Sequence, residues 1–477
     1  MKTSAVTVAG AAVACLASVA LVSRAPVALI VQAPPDWKVI EEETMRHYQT
    51  LVRFDTTVKE RPAAEYLKRV LDENGIPAEL FALEPDRPSV VARLKGSGRK
   101  RPLLIMGHTD TVSVDPSKWK FPPFSATRDG GYVYGRGTID DKDNATAALM
   151  TMLLLKRQNV PLDRDVIFLA EAGEEGNSSV GIGFMVNQRF PEIDAEYCLA
   201  EGGNVARVGG EVKYARVQTL EKVPHGIELV AHGISGHGSV PLKSNAIVHL
   251  AGAVARIGAW RPDIRLNETT GTYFRRLATV SPPDVAKHYQ DVLSPDPKVR
   301  AAADDWLFEN EPSHSSMLRT SISPNIFTGG YRSNVIPSEA KATLDVRMLP
   351  DEDPAKFLDL VKDVVNDPTV EVRFASQEGR PSGAQARLDV EAYRAIEASN
   401  TRVYNVITLP TMSTGATDMA QLRAQGVQCF GIGPAVDSED GPKGYGAHSD
   451  QERLLESELH RFVRFNWEVV TELARAR

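Results

Sequence analysis

At 477 residues the chain is longer than one ordinary hydrophobic core supports, so two or three domains are expected. An apolar share of 42% with 25% charged residues is that of a globular protein and excludes a disordered chain. The net charge of −7, without a long basic run, excludes a general nucleic-acid binder.

The first 23 residues carry Lys2 as their only charge, followed by an apolar run from Ala5 to Val22. A short basic start before an apolar core is the pattern of an export signal, so residues 1–33 are expected to send the protein to the periplasm or the cell exterior. The run is long enough that an uncleaved membrane anchor is the alternative. Of the three cysteines, Cys15 lies in this segment, and Cys198 and Cys429 form no Cys-x-x-Cys spacing. Thiolate zinc sites and a disulfide framework are thereby disfavoured, and any metal must be held by histidine and carboxylate.

Trp37 to Asn74 reads as helical, and Ser89–Leu94 and Leu103–Met106 read as short strands. Asp143-Asn144 is expected to cap a helix from Ala145 to Lys156. That helix is apolar almost all round, as a helix packed on both sides of a layered α/β domain is. Val166–Ala170 and Ala195–Ala200 give two further strands, and the alternation of strand and helix patterns indicates a mainly parallel sheet. The character changes near Val223. His225–His232 alternates, Ser244–Ile257 is an apolar helix, Ala342–Val346 is a strand, and the polar stretch Thr269–Ser315 reads as helical insertions. Residues 220–375 are thus expected to form an α+β domain inserted into an α/β domain built from 37–219 and 376–477, with Gln377–Gln385 as the return linker. Val403–Leu409 and Val427–Ile432 go back to strand signals, and Glu456–Ala474 is the closing helix.

Chemistry-bearing residues stand just beyond several of these segments. Leu103–Met106 leads into His108-Thr109-Asp110, and the turn Gly135-Arg136-Gly137-Thr138-Ile139-Asp140-Asp141 follows. Val166–Ala170 leads into Glu174-Glu175, Ala195–Ala200 into Glu201, and His448 stands in Gly446-Ala447-His448-Ser449-Asp450. Ligands of open parallel sheets collect outside the carboxyl ends of the strands. Each piece alone has an ordinary structural reading: a turn, a solvated loop, a structural histidine. Together, two histidines and three carboxylates suffice for two divalent ions sharing one carboxylate. Such a pair polarises a carbonyl and activates a bridging water. Two successive acids suit a split of labour, one binding metal and the other taking the water's proton.

The ordered set resembles the di-zinc metallopeptidase family that includes glutamate carboxypeptidase, aminoacylase, carnosinase, acetylornithine deacetylase and succinyl-diaminopimelate desuccinylase. Besides the motifs above, it rests on Glu201-Gly202-Gly203, Gly236-His237-Gly238-Ser239-Val240-Pro241, Asn334-Val335-Ile336-Pro337, Asp345-Val346-Arg347-Met348-Leu349-Pro350 and Gly415-Ala416-Thr417-Asp418. The resemblance implies two Zn2+ per subunit, with Co2+ or Mn2+ as alternatives. It implies that Asp140 bridges them, that His108 and Glu201 complete one ion, and that Glu175 and His448 complete the other. Glu174 would be the general base, Asp110 would orient His108, and the Asp140-Asp141 peptide would be cis. The resemblance also implies a homodimer through the inserted domain, with His237 reaching into the partner's site to help hold the developing oxyanion. Asn334, Arg347 and Gly415 would hold substrate, Arg347 as a bidentate clamp for a terminal carboxylate. A surface-loop role for His237, a structural ion pair for Arg347 and a structural role for Asp418 are the alternatives.

Two departures narrow the resemblance. Asp143 stands where this family usually has Gly, and is read here as the helix N-cap. Glu201-Gly202-Gly203 replaces the commoner Glu-Pro. With the insertion between Gly271 and Ser315, this brings the chain nearest the branch of Gly-X carboxypeptidase and the secreted N-fatty-acyl-amino-acid hydrolase/synthase. The implied activity is metal-dependent cleavage of the amide of an N-acyl amino acid or small peptide with a free carboxylate. A long-chain acyl group and a dipeptide or short acyl group both stay open. A non-catalytic metal-dependent peptide-binding protein is the reading from another class, and a retained base at Glu174 speaks against it.

Overall fold

The structure, a computed structural model, describes residues 1–7, 35–376 and 380–476. Most of the expected export segment lies outside the described residues, as do 377–379 of the expected return linker. The chain groups into Met1–Pro35 and Asp36–Arg477, and every helix and strand described belongs to the second unit. Among the described residues no helix is long and apolar enough to cross a membrane.

Helices α1 (Trp37–Arg53) and α2 (Arg61–Glu73) lead into strands β1 (Ala78–Phe81), β2 (Ser89–Leu94) and β3 (Leu103–His108). Small strands β4 (Thr127–Asp129) and β5 (Tyr132–Tyr134) precede α3 (Lys142–Arg157) and β6 (Val166–Glu171). Short helices α4 (Ile182–Gln188) and α5 (Phe190–Ile193) then lead to β7 (Tyr197–Ala200), β8 (Asn204–Val208) and β9 (Glu211–Glu221). Next come β10 (Val223–His232), β11 (Gly236–His237), α6 (Ala246–Ala259) and a run of helices: α7 (Glu268–Ala278), α8 (Pro283–Asp291), α9 (Pro297–Asn310) and α10 (Pro312–Met317). They are followed by β12 (Ser321–Gly329), β13 (Val335–Ile336), β14 (Glu339–Met348), α11 (Pro354–Val365) and β15 (Val370–Phe374). The remainder is α12 (Glu391–Tyr404), β16 (Ile407–Ser413), α13 (Met419–Ala424), β17 (Gln428–Gly431), β18 (Ala435–Asp437), β19 (Arg453–Leu455) and α14 (Glu456–Ala474).

One mixed sheet runs β1-β2-β6-β3-β7-β17-β9-β8-β18, with β16 also paired to β9. Its centre, β6-β3-β7-β17, is parallel, and every residue of β3 and β6 is buried. Continuous apolar strands are what a parallel sheet covered on both faces requires. Helix α3 packs on β3 and against α1 and α14, so it is buried from Lys142 to Leu155. Gly107 permits the approach: a Cβ there would lie 2.6 Å from the Ala145 amide nitrogen and 2.9 Å from Asp141 Oδ2.

A second, antiparallel sheet runs β12-β14-β10-β15. In β14, Ala340, Ala342, Leu344, Val346 and Met348 share a core with residues of α6 and α11, so Asp345 and Arg347 point to the other face. Helices α7–α10 pack elsewhere. Tyr273, Phe274, Tyr289 and Met317 share a core with Leu220 of β9 and Leu409 and Met412 of β16, on the large sheet.

Two expectations are corrected. Asp143 is not the N-cap of α3: the helix starts at Lys142, and Asp141 occupies the cap position. The Asp141 carboxylate is already taken up by the His108 amide and the Asn144 side chain, and Asp143 is buried in the first turn. The strand expected from Val403 starts only at Ile407, because Val403 and Tyr404 finish α12 and Asn405 stops it in the left-handed region, φ 56°.

Candidate metal centre

The strand ends deliver the side chains singled out by the sequence to one place. His108 is the last residue of β3, its ring buried, with Nδ1 3.1 Å from the Asp110 carbonyl oxygen and Nε2 3.0 Å from Asp140 Oδ1. Asp140 precedes a cis peptide to Asp141 at the entrance to α3. The turn before it is tied by buried Glu452, which accepts from the Gly137 amide at 3.1 Å and the Ile139 amide at 2.8 Å and pairs with Arg136 Nη1 at 2.8 Å. Arg136 Nη2 also donates to the Ser449 carbonyl at 2.8 Å, so the same pair fixes the loop carrying His448.

Beyond β6, Gly173 turns the chain with φ 80°, and the amides of Glu174 and Glu175 donate to the two oxygens of Asp110 at 3.2 and 3.0 Å. His448, itself at φ 60°, brings Nε2 to 2.9 Å from Glu175 Oε1 and 3.2 Å from Asp140 Oδ2. Two donor sets result: His108, Asp140 and Glu201 form one, and Asp140, Glu175 and His448 the other. Within each set the donor atoms lie within 4.8 Å of one another. Asp140 belongs to both, offering one oxygen to each imidazole.

The electrostatics suit cations. Burial, reinforced by Asp140, pushes the Asp141 carboxyl up to about 8. Burial and the surrounding carboxylates hold Glu201 well above the usual range. Burial also raises Glu174, with Glu175 and Asp140 adding to it and His108 and Arg380 opposing. Burial works against ionised Asp140, but hydrogen bonds to both imidazoles hold it well below the ordinary value. Hydrogen bonds to Asp140 and Glu175 push His448 up to about 10. A buried cluster richer in carboxylates than in cations is what divalent ions neutralise. Imidazole nitrogen with carboxylate oxygen is a zinc-type donor set, so the residues fit the implied metal pair.

Glu174 makes a further contact that sequence reasoning missed. Arg380 Nη2 donates to its Oε1 at 3.1 Å and to its carbonyl at 3.2 Å, while Nη1 lies 3.3 Å from Asp418 Oδ1. Asp418 and Glu171 are both buried, and burial holds both well above the carboxylate range, with the charge of Asp418 adding to it at Glu171 and the charge of Glu174 at Asp418. Glu221 was missed as well. It accepts from the amide and hydroxyl of Thr417 at 3.2 and 2.7 Å and pairs with Arg423, which fixes the Gly415–Asp418 loop. Gly415 donates its amide to Ser413 Oγ at 3.1 Å.

The remaining candidates lie on the other sheet system. His237 pairs with Val335 in the β11–β13 ladder, and the Gly238 amide donates to the Asn334 carbonyl at 2.8 Å. The His237 ring is exposed, with Nδ1 accepting from the Ser239 amide. Arg347 pairs with Asp345 at 2.9 Å. Among the described residues none of these three side chains is hydrogen-bonded to the donor sets.

The model of the peptidase family M20/M25/M40 matches residues 104–472. The chain belongs to this family. Among curated relatives it is 28% identical over 348 residues to the probable carboxypeptidase S-like 2 of Dictyostelium discoideum, covering 69% of this chain and 64% of that one. It is also 28% identical over 351 residues to the human N-fatty-acyl-amino acid synthase/hydrolase PM20D1, covering 72% of this chain and 66% of that one. The match thus spans just under two thirds of the length of these two relatives. Among solved structures, the M20 family metallo-carboxypeptidase Sso-CP2 from Sulfolobus solfataricus superposes with a TM-score of 0.67 at 20% identity, over 90% of this chain and 99% of that one. The fold is that of these peptidases.

Proposed function

We propose that the protein cleaves the amide bond of an N-acyl amino acid or small peptide that bears a free carboxylate, using two divalent metal ions, zinc by donor type. The observation that carries this is the pair of donor sets sharing Asp140, with Glu174 beside them. His108, Asp140 and Glu201 would hold one ion, and Asp140, Glu175 and His448 the other. Ions held there would supply Lewis-acid polarisation of the scissile carbonyl and a water of lowered pKa. Glu174 accepts the proton of the attacking water at its carboxylate and returns it to the leaving amine nitrogen. Asp110 and Arg380 keep Glu174 in place from its backbone and its side chain. A relative named for N-fatty-acyl amino acids supports a long acyl group, and one named as a carboxypeptidase supports a peptide. The deciding experiment is hydrolysis by the zinc-loaded protein of a long-chain N-acyl amino acid, an N-acetyl amino acid and a C-terminal Gly dipeptide, each with and without chelator. Chelator-sensitive release from one of them supports the reading. No release from any, with two metals bound, favours a binding protein.

The same reading includes an exported homodimer in which residues 220–375 act as the dimerisation and lid segment. Its support is a separate core on α6, α11 and the antiparallel sheet, and the apolar exposure of Ile326 and Phe327 on edge strand β12, Tyr331 beyond it and Val248 on α6. Unpaired edge strands with exposed apolar side chains invite a second chain. In such a dimer His237 would enter the neighbouring site and steady the developing oxyanion, with Asn334 beside it. Export is tested by locating the protein in cell fractions.

A further inference from the structure

Between the helical insertion and the large sheet lies a cavity of about 220 Å³ lined by Gly202, Asn204, Arg216, Tyr273, His314 and Ser413, among others. It adjoins the metal centre along the chain: Gly202 follows Glu201, and Ser413-Thr414 precede Gly415. Half-buried Arg216, on β9, donates from Nε to Asn204 Oδ1 at 2.8 Å. Among the described residues no carboxylate stands within ion-pair distance of its guanidinium. The Tyr273 hydroxyl faces it and lies 2.8 Å from His314 Nε2. Glu311 holds the opposite nitrogen, Nδ1, and so fixes the ring. Arg347 and Arg380, by contrast, are already paired with carboxylates of this chain.

A guanidinium with only neutral partners, in a cavity beside an active centre, is a carboxylate receptor. Its planar fork matches the two oxygens, and a partly desolvated cation without a counter-charge gains most from an anionic ligand. The cavity is smaller than the roughly 300 Å³ at which pockets enclose drug-sized ligands. It therefore suits a short carboxylate-bearing end and not a long acyl chain. We infer that Arg216, with Tyr273 and His314, binds a carboxylate of the substrate in this cavity and thereby sets which amides are cleaved. This rests on the amidohydrolase reading. The carboxylate belongs either to the amino-acid end or to a second acid on the acyl or side-chain part.

The test compares the zinc-loaded full chain with Arg216→Gln and Arg216→Lys. On an N-acetyl amino acid with a neutral side chain, Arg216→Gln is expected to raise KM about 10- to 100-fold, the weight of a charged hydrogen bond, with the loss falling on KM more than on kcat. Arg216→Lys should recover part of it. The C-terminal amide of the same substrate should be used equally by wild type and variant. A loss confined to N-succinyl amino acids would assign the cavity to the second carboxylate. An unchanged KM for every acid, or equal losses for acid and amide, would overturn the inference. Calorimetric titration with N-acetylglutamate and with succinate separates it from the hydrolase reading. Binding to wild type that Arg216→Gln abolishes keeps the subsite even if nothing is hydrolysed. Equal binding to both proteins, or none to either alongside normal hydrolysis, removes it.

Discussion

Both carboxylate oxygens of Asp110 are committed to the amides of Glu174 and Glu175, while its carbonyl meets the His108 ring. One residue thus positions His108, Glu174 and Glu175 together, the proposed metal ligands and base. Asp110→Asn places a donor against an N–H and is expected to lower metal affinity or turnover about 10- to 100-fold, measured by zinc content and kcat. Glu174→Gln should keep both metals and lose about 10²–10⁴-fold in kcat; near-normal turnover would remove it from the mechanism. His448, held up to about 10 by Asp140 and Glu175, is protonated at neutral pH in the metal-free protein. A metal must displace that proton, so zinc affinity should rise with pH and weaken on acidification. Zinc titrations in two buffers of different ionisation heat should reveal net proton release; binding that ignores pH between about 6 and 8 would contradict this. The donors were legible in the sequence because histidine and carboxylate after apolar strands are conspicuous. Arg380 was not: its partners Glu174 and Asp418 stand far from it along the chain, and only the folded sheet brings them together.

The elements place the site through a few tight contacts. Arg136 and Glu452 are buried with side-chain exposures of 4% and 0%, and together they join the turn before Asp140 to the loop of His448. Removing one partner of such a pair leaves an uncompensated buried charge. Glu452→Ala is therefore expected to cost about 3–5 kcal/mol in denaturant unfolding and to reduce zinc content. The parallel centre of the sheet could be read from its unbroken apolar runs, since covered strands need them. Helix and strand boundaries near Val403 could not, because β-branched and aromatic residues there serve the buried face of α12 as well as they would serve a strand. The start of α3 escaped for a different reason. Asp143 is a good capping residue by type, but Asp141 stands at the cap with its oxygens turned to His108 and Asn144.

At the scale of the whole molecule, helical insertions between α6 and β12 were visible as a polar, proline-containing stretch. Their attachment to β9 and β16 was not, because amphipathic helices do not reveal which apolar surface they cover. If His237 serves the neighbouring subunit, mixing His237→Ala with Glu174→Gln should restore activity that neither has alone. In a randomly mixed dimer about a quarter of the sites then carry both groups; sedimentation should show one dimeric species, and no recovery would place His237 outside catalysis. A different consequence follows from where the shared donors sit in the chain. His108, Asp140, Glu175 and Glu201 are synthesised early, while His448 and the Glu452 that fixes its loop come hundreds of residues later. The second donor set is incomplete until that late segment has folded back onto the first half. A nascent or C-terminally clipped chain therefore lacks His448 and holds only the first donor set, so any chemistry that needs both must wait for the last segment of the chain.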